Sequence, residues 1–280
     1  MHLYKTAKGN ILKHDQISYL VKGDWDTVIN QENLYQSLLE IAGSAVVIEE
    51  QQSAEMLEHI LPPIGNQEVW AAGVTYLRSR DARMEESEDS GAADCYQRVY
   101  EADRPELFFK SLPHRVMGHG QIVNIRKDST WSVPEPELAL YINSKGSIQA
   151  YTIGNDMSSR SIEGENPLYL PQAKMYEGSA ALGPCLYIIA GPISADTTIQ
   201  MSISRNNEKL FDDGTSINRM KRSLTELADW LYKEFDFTYG AFLMTGTCVV
   251  PPTDFTLNVN DLVNIDIEGI GRLTNTIGVR

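Results

Sequence analysis

Residues 137–154 constrain the fold more than any other stretch of this 280-residue chain. Glu137–Asn143 and Ser147–Gly154 are strand-length runs rich in apolar side chains, and Asn143-Ser144-Lys145-Gly146 is a turn between them. The two runs are therefore expected to pair as a hairpin. Glu68–Gly73 is another short apolar strand, and Val263, Ile265 and Ile267 alternate with Asn264, Asp266 and Glu268 in the period-two pattern of a half-buried strand. Helical spacing is limited to Leu34, Leu38 and Ile41, to Ala54, Leu57 and Leu61, and to Leu224, Leu227, Ala228 and Leu231, the last opened by a Ser223/Glu226 capping box. Strands grouped in this way, without regular βαβ alternation, predict an α+β, mostly β fold with a mixed, mainly antiparallel sheet and not a Rossmann sheet. Pro62-Pro63 stops the second helix and Gly65-Asn66 follows, which places a boundary between a small N-terminal α/β domain (1–64) and a larger domain (65–280).

Charge narrows the partners. With 24 Lys and Arg against 38 Asp and Glu, the formal charge is −14, so the basic stripe needed to bind nucleic acid is not expected. A small anionic substrate would be repelled at long range and would need a local cation, for which a divalent metal is one candidate. Cys95, Cys185 and Cys248 are far apart and include no CxxC pair, which suits reduced thiols in a cytoplasmic protein. No apolar run at the N-terminus reads as a signal peptide, and the apolar stretch Leu182–Ile193 is too short to span a bilayer, so no membrane partner is expected.

Val133-Pro134-Glu135-Pro136-Glu137-Leu138 is the stretch richest in chemistry. Two carboxylates at i and i+2 on an extended chain share a face, and Pro136 between them keeps the backbone extended. Held this close they repel, unless a cation sits between them. Oxygen ligands of this kind suit Mg²⁺, with Mn²⁺ or Ca²⁺ as substitutes, although two solvated glutamates on an exposed strand fit the same spacing. Asp156 ends the second run of the hairpin and can be folded back beside them, or it can cap a turn with Ser158 and Ser159. Lys174 lies among apolar and small residues, where a lysine stripped of water can act as a base, or it can snorkel to the surface. Thr245-Gly246-Thr247 offers hydroxyls and amides to a carboxylate, while His114 and His119 read as loop residues. Residues 77–104 carry Arg78, Arg80, Arg83, Arg98 and Arg104 among many acids and read either as a solvated insertion or as a lid bringing an arginine onto a substrate carboxylate. The chain contains no GxSxG, P-loop or GxGxxG sequence.

In order along the chain, Ala72-Gly73-Val74-Thr75-Tyr76, Pro105-Glu106-Leu107-Phe108-Phe109-Lys110, Glu135-x-Glu137-Leu138, Tyr151-Thr152-x-x-Asn155-Asp156-x-Ser158-x-Arg160, Lys174, Gly183-Pro184, Thr245-Gly246-Thr247 and Glu268-Gly269-Ile270-Gly271 resemble the motifs of the fumarylacetoacetate hydrolase family over roughly residues 68–280. The resemblance implies a rolled mixed β-sheet, Mg²⁺ held by Glu135, Glu137 and Asp156, and a homodimer or homotetramer. Hydrolases of this family have a histidine a few residues after the position of Tyr76; here Leu77-Arg78-Ser79-Arg80-Asp81-Ala82-Arg83 has none, so water attack on a carbonyl carbon lacks its activator. The arginines, the acidic insertion, Glu106 and Ser161-Ile162-Glu163-Gly164-Glu165-Asn166-Pro167 resemble the branch that dehydrates 2-keto-3-deoxy-pentonates to 2,5-dioxopentanoate in sugar-acid breakdown.

That branch implies a 2-keto acid chelated through its carboxylate and keto oxygens, Lys174 as the base at C3 and Glu106 as the acid at the C4 hydroxyl. Thr247, Ser158, Arg160 and an arginine among Arg78, Arg80 and Arg83 would position the substrate. Hydrolysis of an acylpyruvate-like diketo acid, decarboxylation of oxaloacetate and non-catalytic binding of a sugar acid are the alternatives. Neutralising Glu135 or Asp156 is expected to remove a metal ligand while relieving repulsion in the metal-free protein.

Overall fold

The computed structural model describes residues 1–78, 84 and 93–280. Arg80, Arg83 and the rest of 79–83 and 85–92 lie outside the described residues; within the 77–104 insertion, Ala93–Glu101 is a helix.

The hairpin forms as the alternation and turn require. Strand β10 (Pro136–Ile142) pairs antiparallel with β11 (Ile148–Asp156), with Pro136 opposite Asn155 and Glu137 opposite Gly154. Asn143 closes the turn: its side-chain oxygen accepts from the backbone N–H groups of Lys145 and Ser147 at 3.0 and 2.9 Å. Every residue of β10 is buried, because this strand lies inside the larger of two main sheets and is covered on both faces.

That sheet has eleven strands. Its N-terminal part comprises β1 (His2–Thr6), β2 (Gly9–His14), β3 (Ile17–Val21) and β4 (Val46–Ile48). The rest comprises β5 (Glu68–Gly73), β6 (Glu106–Ser111), β7 (Val116–Met117), β10, β11, β13 (Ala180–Tyr187) and β16 (Ala241–Met244). Their order is β4-β3-β2-β1-β13-β11-β10-β16-β5-β6, with β7 beside β13. The N-terminal strands join this sheet where His2 and Leu3 pair with Tyr187 and Leu186. The second sheet, ordered β15-β14-β17-β18-β8, has five strands: β8 (Ile122–Ile125), β14 (Thr198–Arg205), β15 (Glu208–Ser216), β17 (Leu262–Ile267) and β18 (Gly271–Val279). Two short strands, β9 (Ser132–Val133) and β12 (Ser158–Ser159), pair antiparallel with each other apart from both sheets. Most pairs are antiparallel; β5–β16, β7–β13 and β8–β18 are parallel.

Leu138, Leu140 and Ile153 of the large sheet pack against Met201, Val263 and Ile265 of the small one, so the main core is a sheet-on-sheet interior. On the other face of the large sheet, Val28, Ile29, Leu34 and Leu38 supply a second core. The helical spacing of Leu34, Leu38 and Ile41 is met by the helix Leu34–Ser44, whereas the next helix, Glu50–Leu57, ends before Leu61. In the helix Leu224–Leu231, Ser223 Oγ accepts from Glu226 N at 3.1 Å, but the Glu226 carboxylate takes Arg222 at 2.5 Å. No helix among the described residues is long and apolar enough to cross a membrane.

Candidate active site

The hairpin register builds the acidic cluster. Because Pro136 faces Asn155, Asp156 comes opposite Glu135, and its backbone N–H donates to Glu135 O at 3.0 Å. Glu135, Glu137 and Asp156 are all buried, and each offers a carboxylate oxygen within 4.8 Å of the others.

Three buried cations surround them. Lys174, at the end of the short helix Leu170–Lys174, donates to Glu135 Oε2 at 2.7 Å, Asp156 Oδ2 at 3.0 Å and Ser158 Oγ at 2.5 Å. Arg160 Nη2 donates to Glu135 Oε1 at 2.5 Å. Lys110 pairs with Asp156 Oδ1 and also donates to the carbonyls of Met157 at 3.0 Å and Lys174 at 2.6 Å. Burial pulls the Lys110 ammonium below its ordinary pKa, and Asp156 opposes that shift.

Glu137 is different. It forms no ion pair among the described residues; its Oε2 accepts from Gly246 N at 2.6 Å. Burial, then Asp156 and Glu135, push its pKa well above the ordinary carboxylate value of 4.5. Gly246 makes this contact possible: its φ of +95° favours glycine, and a Cβ there would meet Thr75 Oγ1 at 2.0 Å. Glu137, a buried carboxylate with one amide donor and no ion pair among the described residues, forms with Glu135 and Asp156 a close set of hard oxygen donors, and Mg²⁺ fits it.

The other expected residues divide. Glu106 opens β6 opposite Gly73, and its carboxylate lies over that glycine, where a Cβ would come within 2.0 Å of Oε2. Phe108, two residues on and so on the same face of β6, brings its ring centroid to 5.8 Å from Lys174 Nζ. The Glu106 face is thus the one turned toward Lys174. Thr247 is buried, and its Oγ1 accepts from Val249 N at 3.2 Å. Ser158 and Arg160 are buried, bonded to Lys174 and to Glu135 respectively. Arg78 is exposed, on a cavity beside Tyr76 and Cys248. Outside the cluster, His119 Nδ1 accepts from Thr274 N at 3.2 Å and His114 lies in the turn Pro113–Arg115.

Lys110 is the site residue that residue patterns alone did not single out. The β5–β6 register shifts so that Trp70 faces Phe109 and Val69 faces Ser111, leaving Lys110 as the extra residue. A bulge of this kind re-aims a side chain. The only local signal is its position at the end of the Pro105–Lys110 motif.

Residues 69–278 match the family described as "Fumarylacetoacetate (FAA) hydrolase C-terminal". The chain is 45% identical over 222 residues to the "Probable 2-keto-3-deoxyxylonate dehydratase" of Haloferax volcanii, covering 78% of this chain and 75% of that protein. It is 40% identical over 225 residues to the 2-dehydro-3-deoxy-D-arabinonate dehydratase of Saccharolobus solfataricus, covering 79% of this chain and 75% of that protein. A solved structure of 2-keto-3-deoxy-D-arabinonate dehydratase complexed with magnesium and 2,5-dioxopentanoate superposes with a TM-score of 0.82 at 30% identity, covering 100% of this chain and 98% of that one. With its mostly β, mixed-sheet architecture and the motifs above, the chain belongs to the fumarylacetoacetate hydrolase family.

Proposed function

We propose that this chain is a Mg²⁺-dependent hydro-lyase that dehydrates a 2-keto-3-deoxy sugar acid, 2-dehydro-3-deoxy-D-arabinonate or an epimer, to 2,5-dioxopentanoate. The observation that carries the reading is Lys174 Nζ seated 2.7 Å from Glu135 and 3.0 Å from Asp156, beside a Glu137 carboxylate that has no ion pair among the described residues. The absence of a histidine from Leu77–Arg83 and the relatives named as dehydratases favour elimination over hydrolysis.

Glu135, Glu137 and Asp156 would hold the metal, and Mn²⁺ or Ca²⁺ would meet the same donors. When bound, Mg²⁺ supplies Lewis-acid polarisation of the 2-keto group, which makes the C3 hydrogens acidic. Lys174 is the base that takes one of these hydrogens. Lys110 positions it, because one ammonium ties the Lys174 carbonyl to the Asp156 carboxylate. Glu106 gives a proton to the C4 hydroxyl, which leaves as water and places a double bond between C3 and C4. Loss of a hydrogen from C5 and of the proton from the C5 hydroxyl, with gain of one hydrogen each at C3 and C4, then yields the C5 aldehyde. Thr247 and Arg78, with Arg80 and Arg83, position the substrate, whereas Ser158 and Arg160 act by holding Lys174 and Glu135. The same reading includes a catalytic domain over 65–280, a cytoplasmic setting and a homodimer or homotetramer.

Glu106→Gln tests the division of labour. Product formation should fall by roughly 10²–10⁴ because the leaving hydroxide goes unprotonated. Exchange of C3 hydrogens into D₂O should persist, since Lys174 and the acidic cluster are untouched. Unchanged turnover would remove Glu106 as the acid.

A further inference from the structure

Next to the acidic cluster lies a cavity of about 510 Å³, within the range of roughly 300–1,000 Å³ typical of small-ligand sites. Its less exposed lining is Tyr76, Thr215, Cys248 and Val250. Arg78, Asp213 and Arg219 are exposed and form its rim. The Cys248 thiol donates to Thr215 Oγ1 at 2.9 Å.

Tyr76 is the unusual member. It is 1% exposed, yet its hydroxyl has no hydrogen-bond partner among the described residues, an unfavourable state for a buried polar group. The backbone holds it there. Val74 adopts a φ of +53°, rare for a β-branched residue, Thr75 Oγ1 donates to Thr245 O at 2.7 Å, and Tyr76 bridges to Met220. Burial raises the phenol's pKa, with Cys248 and Glu137 adding to the shift, so the group remains a neutral hydroxyl near both.

The distance from the cluster is short. Gly246 N contacts Glu137, and Cys248 is two residues on, a span of at most about 7 Å. In a 2-keto-3-deoxy acid, C5 is three bonds from the keto carbon. A carboxylate at the far end of a substrate would meet only neutral hydroxyl and thiol groups in the inner lining, with Glu137 nearby to repel it, and would find Arg78 and Arg219 only at the exposed rim, beside Asp213. A hydroxyl would find donors and acceptors.

We propose that this cavity is the subsite for the hydroxylated distal end of the substrate, with the Tyr76 hydroxyl bonding the C5 hydroxyl. The assignment rests on the dehydratase reading above and names the part of the chain that selects a polyhydroxy acid over a plain keto acid.

The probes are 5-hydroxy-2-oxopentanoate and 2-oxopentanoate. Both have the keto-acid head, and neither has a C4 hydroxyl to eliminate. Calorimetry with Mg²⁺ should show the hydroxylated acid binding the wild type about tenfold more tightly. Tyr76→Phe should bind both acids equally, at the wild-type affinity for 2-oxopentanoate, and should melt no lower than the wild type, because the lost hydroxyl has no partner among the described residues. Equal binding by the wild type, or a preference that survives in Tyr76→Phe, would overturn the subsite while leaving the dehydratase reading intact. Failure of the wild type to bind either acid would overturn that reading and the subsite with it.

Discussion

Lys174→Met is expected to lose both turnover and C3 hydrogen exchange, by about 10²–10⁴-fold, the usual contribution of a positioned general base. The same change should destabilise the metal-free protein. Lys174 is 1% exposed and donates to both Glu135 and Asp156, so methionine would leave those carboxylates with less compensating charge in a buried setting. Breaking buried pairs in this way costs about 3–5 kcal/mol. Mg²⁺ should restore much of the loss, since a divalent cation compensates the same carboxylates. Thermal melts with and without Mg²⁺, alongside exchange into D₂O, separate the two effects. Normal exchange in Lys174→Met would move the base elsewhere.

Glu137→Gln is expected to do the opposite to the metal-free protein. Neutralising Glu135 removes an ion pair with Arg160 and one with Lys174, and neutralising Asp156 removes one with Lys110 and one with Lys174, so lost pairing offsets the relief of repulsion at those two positions. Glu137 holds no such cation among the described residues, and its pKa lies well above 4.5. The group binds more protons folded than unfolded, so its stabilising contribution is complete below the unfolded pKa and is lost as pH rises through the folded one. Metal-free wild type should therefore lose stability over that window, and Glu137→Gln should not. At neutral pH the metal-free variant should melt no lower than the wild type, Mg²⁺ should no longer raise its melting temperature, and activity should vanish. Saturating a site at 100 times its Kd adds about 2.7 kcal/mol, a shift easily seen in the wild type. A Glu137→Gln protein still stabilised by Mg²⁺ would remove Glu137 from the ligand set.

The features legible in the sequence were those governed by local periodicity. The turn at 143–146 and the alternation around it specified the hairpin, and the hairpin register alone carries Asp156 to Glu135. Spacing could not decide whether the glutamates were solvated, because that depends on β10 being enclosed between β11 and β16 with cores on both faces. Lys110 reaches Asp156 through a bulge against β5, some 46 residues away along the chain, and no residue pattern encodes that contact. Tyr76 and Cys248 share a cavity through long-range packing between the end of β5 and the segment after β16, so the subsite was invisible to motif reading. Arg160 could be placed near the cluster by its motif, but its direction toward Glu135 required the chain to turn after the two-residue strand Ser158–Ser159.

The most direct test follows the wild type, Mg²⁺ and 2-dehydro-3-deoxy-D-arabinonate in D₂O by proton and carbon NMR. The expected product is a five-carbon aldehyde, 2,5-dioxopentanoate, carrying solvent deuterium at C3 and C4, because a C3 hydrogen is removed and both carbons are later protonated from solvent. Two fragments, release of CO₂, or an aldehyde with both original C3 hydrogens retained would contradict a dehydration begun by Lys174 at C3.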